Sequence, residues 1–290
     1  MDEQLVETPA WFLDAIRAPK VSRYVNVEGA VIHYQAWNEG DWDKPALLFV
    51  HGFCAHAKWW DFIAPAFLNT HRVYAMDLSG MGDSESRIHY VHEVWSKDIV
   101  EVARAVGNGQ KVAVAGHSFG GSRSTEAVAQ HPELFSQLVI LDSYFYLAEG
   151  EESRRKRNVP PKGGERIYDT FEIAYSRFRF TPDQSTLPFI YEYIGRNSIR
   201  QRGDQWGWKF DNEILGFTHH DLDHSTSLKS VQVPVSLIHA EHSTVASHSL
   251  VQRIADTVPQ CKAKIMISGA QHHIMCDKPL ELIEALKSVL

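Results

Sequence analysis

Short apolar runs punctuate the chain and alternate with segments whose apolar residues recur at helical spacing. Ala46-Leu47-Leu48-Phe49-Val50 contains no polar residue, as expected of a strand covered on both faces. Arg72 to Met76, Lys111 to Ala115, Leu138 to Leu141, Val233 to His239 and Ala263 to Ile267 read as further strands. Between and after them, Trp59 to Leu68, His92 to Val106, Ser118 to Gln130, His248 to Val258 and Pro279 to Leu290 read as helices. Such alternation predicts an α/β fold: a mostly parallel, doubly wound sheet with helices on both faces. Ahead of it, Val21 to Val27 and Ala30 to Trp37 flank Glu28-Gly29 as a hairpin, and Thr8 to Ile16 reads as a short covering helix with a Thr cap and Pro9 at its first position.

The alternation breaks after the strand at Leu141. From 147 to 222 the chain carries the basic run Arg154-Arg155-Lys156-Arg157, adjacent Pro160 and Pro161, and aromatic-rich helical stretches holding Phe171, Tyr175, Phe178, Tyr191 and Tyr193. An insertion of this size between core strands is expected to be a helical cap at 147–222 on a core formed by 1–146 and 223–290. Its aromatics, Phe178, Phe180, Tyr191, Trp206, Trp208 and Phe210, are expected mainly to build the cap's own small core, with some reaching a substrate pocket.

Chemistry concentrates where a strand meets a helix at Gly116-His117-Ser118-Phe119-Gly120. A serine between glycines at this junction is the nucleophile-elbow pattern, in which a sharp, strained turn lifts the hydroxyl into reach of substrate. A serine hydroxyl needs a base, and His272 lies in the last loop before the C-terminal helix, at the sheet edge where the elbow lies; His273 is its rival. An oxyanion hole needs backbone N–H donors. Phe119 supplies one, and the loop His51-Gly52-Phe53-Cys54 supplies the other, through Phe53 or alternatively Cys54.

These features resemble the α/β-hydrolase fold family: His51-Gly52-Phe53, Asp77-Leu78-Ser79-Gly80-Met81-Gly82-Asp83-Ser84, Gly116 to Gly120, and Gln271-His272 ahead of Pro279, in that order. The resemblance covers nearly the whole chain apart from the cap and implies a serine hydrolase with an acid orienting the histidine. Most members carry that acid in a turn which here reads Ala240-Glu241-His242-Ser243, with serine at the aspartate position. Some relatives, including haloalkane dehalogenases and the hydrolase of acetamidomethylene succinate, place the acid on the preceding strand end. Asp142 is therefore the expected acid, with Glu241 the alternative. Asp77 and Asp83 are expected to form their turn.

Composition narrows the rest. A chain of 290 residues, 44% hydrophobic, supports one large core. A formal charge of -7 leaves no basic footprint for nucleic acid, and the expected partner is a small-molecule substrate, with a homodimer left open. Three cysteines, Cys54, Cys261 and Cys276, form no metal or disulfide spacing and are expected to be reduced and buried. The acidic start and the lack of a membrane-span-length run suggest a cytoplasmic protein. No cofactor and no metal are expected, and the cluster His219 to His224 is read as a loop re-entering the core. Arg123 is expected to be a solvated helix residue, and the basic run a solvated face. The leading expectation is an ester, amide, lactone or thioester hydrolase working through an acyl-enzyme. A C–C bond hydrolase of a vinylogous diketone and a non-catalytic ligand-binding member of the fold are the alternatives.

Overall fold

The computed structural model describes residues 8–147, 166–216 and 223–290. Its strands are β1 (Val21–Val27), β2 (Ala30–Trp37), β3 (Ala46–Val50), β4 (Arg72–Met76), β5 (Val112–His117), β6 (Phe135–Leu141), β7 (Ile167–Tyr168), β8 (Ile199–Arg202), β9 (Gln205–Trp208), β10 (Val235–Ala240) and β11 (Cys261–Ile267). Eight of them form the main sheet in the order β1-β2-β4-β3-β5-β6-β10-β11. The β1–β2 and β2–β4 pairs are antiparallel and the rest are parallel. This is an α/β-hydrolase fold.

Side-chain alternation along the strands divides the core in two. Leu48, Val50, Val112, Val114, Leu138 and Ile140 join one buried cluster, while Leu47, Phe49, Ala113, Ala115, Val139 and Leu141 join another. The first cluster lies under α2 (Glu93–Gly107), which contributes Trp95, Ile99, Val102 and Val106. That helix stops where Asn108 turns left-handed at φ 47°, followed by Gly109 at φ 84°. The second lies under α1 (Ala10–Ile16) and the C-terminal helix Pro279–Lys287, through Phe12, Leu282 and Leu286.

Four expectations change. The 59–68 stretch is not one helix but two 3-10 turns, Ala57–Trp60 and Ala64–Phe67, because Pro65 cannot donate the amide bond that would continue the first. Helix α1 starts at Ala10 with Pro9, not Thr8, at its cap position and no side-chain cap bond. The insertion is not purely helical: beside α4 (Phe171–Ser176) and α5 (Pro188–Asn197), its described part holds an antiparallel sheet in the order β7-β9-β8. Cys54 and Cys261 are half-buried, and only Cys276 is fully buried. The basic run Arg154 to Arg157 and the stretch His219 to Leu222 lie outside the described residues. Among the described residues no helix is long and apolar enough to cross a membrane.

The inserted segment is held to the body by polar side chains from two loops. Tyr193 donates to the buried Asp61 carboxylate at 2.5 Å, Lys58 reaches Asn197 at 2.8 Å, and Tyr90 donates to Asp211 at 2.8 Å. Ser198 Oγ donates to the Ile194 carbonyl at 2.8 Å, so its lone pair accepts from His56 Nε2 at 3.0 Å. Burial lowers the His56 pKa from its ordinary 6.5 to about 3. Because the unfolded chain binds this proton and the folded one does not, the stability held by His56 is fully present above pH 6.5 and is lost as pH falls toward 3. Urea unfolding at pH 7.5 and pH 5 should therefore show a smaller midpoint loss on acidification for His56→Gln than for the unchanged protein.

Candidate active site

The loops after β3, β5, β6, β10 and β11 all leave the same edge of the sheet, the carboxyl ends of parallel strands. Each delivers one part of a single constellation. After β5 the chain turns at Ser118, with φ 53° and ψ -119°, directly into α3 (Phe119–Gln130). The flanking residues have no room for a side chain. A Cβ on Gly116 would sit 2.5 Å from the Gly120 carbonyl oxygen, one on Gly120 2.4 Å from the His51 oxygen, and one on Gly121 2.0 Å from Ser143 Oγ. The Ser118 N–H donates to the Leu141 carbonyl at 2.9 Å, tying the turn to the neighbouring strand end.

From the end of β11, His272 comes over this turn with its Nε2 3.0 Å from Ser118 Oγ. Its Nδ1 lies 2.7 Å from Asp142 Oδ2. An ionised carboxylate only accepts, so Nδ1 carries the proton and Nε2 presents its lone pair to the serine hydroxyl. His272 and Asp142 are both buried, and Ser118 is half-buried.

Asp142 stands at the end of β6 in a left-handed conformation, φ 42°, which aims its carboxylate back over the sheet edge. Its Oδ1 accepts the Ala240 N–H at 2.9 Å. Ser243 is the residue that sequence reasoning passed over. Its Oγ accepts the N–H groups of Val245 at 3.1 Å and Ala246 at 2.9 Å, which leaves its one proton for Asp142 Oδ2 at 2.5 Å. The serine at the usual acid position thus serves the carboxylate that sits elsewhere. Glu241 goes another way: half-buried, it accepts from Ser268 Oγ at 2.8 Å and the Gly269 N–H at 2.7 Å.

The remaining candidates fall around this centre. The His51-Gly52-Phe53-Cys54 loop lies against the elbow, since a Cβ on Gly52 would be 3.4 Å from Ser118 Cβ. The Phe53 and Phe119 rings meet edge to face at 5.4 Å. Cys54, at φ 58°, directs its N–H to Met81 Sδ at 3.3 Å. His273, the rival base, packs its ring on Trp59 and Phe180 at 5.2 and 5.4 Å. Burial lowers its pKa to about 3, so the ring is neutral. Asp77 forms its turn by accepting from the N–H groups of Ala57 and Asp83 and from His33. Arg123 corrects the expectation of a solvated residue: it is buried, paired with Glu126 at 3.0 Å and with His224 Nε2 at 2.9 Å.

Two supports of His272 were not visible in the sequence. His117 donates from Nε2 to the His272 carbonyl at 3.0 Å. Gln184, from the inserted segment, accepts the His273 N–H at 2.7 Å and returns a bond to the His273 carbonyl at 3.3 Å. Beside them Phe178, Phe180 and Tyr191 pack mutually at 5.2 to 5.6 Å, and Phe180 reaches Trp59 at 5.4 Å. Trp206 packs on Phe171 and Trp208 on Tyr168 within the inserted segment, and Trp208 also meets Phe178 at 6.4 Å.

Residues 45–175 match the model of a family described as alpha/beta hydrolase fold. Over 277 residues the chain is 34% identical to the uncharacterized hydrolase YugF of Bacillus subtilis (strain 168), covering 90% of this chain and 94% of that protein. It is 24% identical over 287 residues to 2-hydroxy-6-oxo-6-(2'-aminophenyl)hexa-2,4-dienoic acid hydrolase of Metapseudomonas resinovorans, covering 93% of this chain and 91% of that one. The crystal structure of E-2-(acetamidomethylene)succinate hydrolase superposes with a TM-score of 0.78 at 17% identity, over 93% of this chain and 98% of that chain, a likeness of fold.

The contacts at the elbow make a direct stability prediction. Gly120→Ala should destabilise the protein by about 1–3 kcal/mol or more, because its Cβ meets backbone that cannot retreat. Gly40→Ala, where a Cβ meets nothing within 4 Å, should not. Urea unfolding of both variants checks the ranking.

Proposed function

The chain belongs to the α/β-hydrolase fold family, and on that premise we propose that it is a serine hydrolase which cleaves a small-molecule ester or related acyl derivative through an acyl-enzyme on Ser118. The observation that carries the reading is the continuous hydrogen-bonded path from Ser118 through His272 to Asp142, at 3.0 and 2.7 Å. In this reading Ser118 Oγ attacks the substrate carbonyl while His272 Nε2 takes its proton. Asp142 stabilises the imidazolium that forms, held in place by its bonds from Ala240 and Ser243. The N–H groups of Phe53 and Phe119 receive the developing oxyanion, the latter with the added favour of the α3 N-terminus. The tetrahedral intermediate collapses, the leaving group takes the proton from His272, and the acyl group stays on Ser118. Water then enters, His272 removes its proton, and the second intermediate releases the acid and restores the serine.

The inserted segment acts as the cap. Phe180 and Trp59, beside His273, supply an apolar wall that suits an aryl or alkyl group. A second reading keeps the same residues and changes the bond. The long likeness to a hydrolase of a hydroxy-oxo-hexadienoic acid favours a vinylogous diketone, whose C–C bond is hydrolysed after attack on its carbonyl.

A fluorophosphonate should label the unchanged protein at one residue, Ser118, and should leave Ser118→Ala unlabelled; absence of labelling would support a ligand-binding member of the fold instead. Acid-dependence is the sharper test, read as kcat on a p-nitrophenyl ester. Asp142→Asn should lose on the order of 10³–10⁴-fold, because the histidine loses its fixed tautomer. Ser243→Ala removes only one donor to that carboxylate and should lose roughly tenfold. Glu241→Gln should stay within about twofold. Enol and acid products from a dienol substrate, exceeding ester turnover, would select the second reading.

A further inference from the structure

Beside the proposed base stand two more histidines whose ring nitrogens the hydrolytic reading does not employ. One ring nitrogen from each of His117, His272 and His273 lies within 4.8 Å of the others, and all three side chains are buried. His117 Nδ1 has no hydrogen-bond partner, and neither ring nitrogen of His273 makes a hydrogen bond of good geometry. Only the carbonyls of Thr181 and Pro182 are near enough to draw on the His273 proton. Buried polar atoms left in this state call for an explanation, such as an ion that they can hold.

We propose that His117, His272 and His273 form a site for a borderline-soft divalent cation of the Zn²⁺ type, whose binding switches the hydrolase off. The switch rests on the serine-hydrolase reading; the cation site itself does not. A histidine that ligates a metal through one ring nitrogen typically gives its other N–H to a carboxylate or a carbonyl. Two of these rings already stand so: His272 Nδ1 is bonded to Asp142 at 2.7 Å, and His117 Nε2 to the His272 carbonyl at 3.0 Å. That leaves the lone pairs of His272 Nε2 and His117 Nδ1 as donors. Both ring nitrogens of the buried His273 lack a hydrogen-bond partner of good geometry, and the His272–His273 ring centroids are 4.7 Å apart.

Zinc holds imidazole nitrogens at about 2.0–2.1 Å in a tetrahedral array, so the nitrogens must close to roughly 3.4 Å of one another. Binding requires the three rings to turn toward one another by that amount. The lone pair that His272 donates to the metal is the one that accepts the Ser118 proton, and the hydrogen bond now at 3.0 Å breaks. The fourth position is open to water. The ion acts here as an inhibitor and has no part in the turnover of the proposed hydrolase.

The site is tested with Zn²⁺ alone on turnover of a p-nitrophenyl ester, and with Co²⁺ alone by its visible absorption, which needs no activity. Zn²⁺ should inhibit the unchanged protein at micromolar concentration, with recovery on adding EDTA. His273→Gln removes one ligand while leaving the proposed catalytic residues in place. Measured against the variant's own metal-free turnover, Zn²⁺ inhibition should weaken by at least about tenfold, and Co²⁺ binding should weaken equally. Ser118→Ala should bind Co²⁺ like the unchanged protein and show the same intense tetrahedral bands. Equal Zn²⁺ inhibition and Co²⁺ affinity in the unchanged protein and His273→Gln would overturn the site, as would Co²⁺ binding without tetrahedral bands. A Co²⁺ affinity that falls in His273→Gln, in a protein without ester turnover, would sustain the cation site while sinking the proposed reaction.

Discussion

The turn at Ser118 is the constraint around which the neighbouring loops are arranged. A left-handed serine between a strand and a helix costs on the order of 1–3 kcal/mol and persists only where its surroundings over-determine it. Here the surroundings are backbone. The Leu141 carbonyl takes the Ser118 N–H, and the Val50 and His51 carbonyls crowd Gly120 from the adjacent strand end. The strain is therefore held by the middle of the sheet, where β3, β5 and β6 lie side by side. That placement makes the position of the hydroxyl a property of the core, and a loop rearrangement alone would not shift it.

The same economy governs the carboxylate. Asp142 and Ser243 come from adjacent strand ends, β6 and β10, and either place lets an acid approach His272. With aspartate on β6, the β10 turn is free to supply donors. Ala240 gives an N–H to one oxygen and Ser243 a hydroxyl to the other, and Val245 and Ala246 fix which way that hydroxyl points. A buried carboxylate without such partners would favour protonation and lose its use as an acceptor. Serine at the customary acid position is thus explained by the carboxylate beside it.

The sequence was most legible where burial on both faces forces a pattern. β1, β2, β3 and β4 run over the expected residues because hairpin alternation and continuous apolar runs have no competing interpretation. Ser118, His272 and Asp142 could be selected from order along the chain, since strand ends of one sheet converge. What escaped notice depends on contacts between distant segments. His117 lies within the elbow motif itself, yet its bond to the His272 carbonyl spans 155 positions. Arg123 has the appearance of a surface residue in one dimension; its burial depends on Glu126 and on His224, far along the chain. The sheet of β7, β8 and β9 was missed because Trp206-Gly207-Trp208 is too short, and too aromatic, to distinguish from the helical stretches around it. Pro65 was the available warning against a single helix at 59–68, and the aromatic spacing around it obscured that signal.

Gln184 joins these two levels. The inserted segment could have touched the body only through apolar surface, which tolerates sliding. Instead one side-chain amide exchanges two hydrogen bonds with the backbone of His273, the residue next to His272. Nearby, the Leu187 N–H donates to the Cys276 carbonyl, so the segment also grips the short helix Ile274–Asp277 that follows His273. Held at its cap and within that helix, the stretch gives the His272 imidazole a defined height above Ser118, and the 3.0 Å separation depends on that height. Variation in the inserted segment would therefore alter more than the shape of a pocket. A change that preserved Phe178, Phe180 and Tyr191 but lost the amide of Gln184 would leave the apolar wall intact while loosening the histidine. The segment braces the stretch that carries His272.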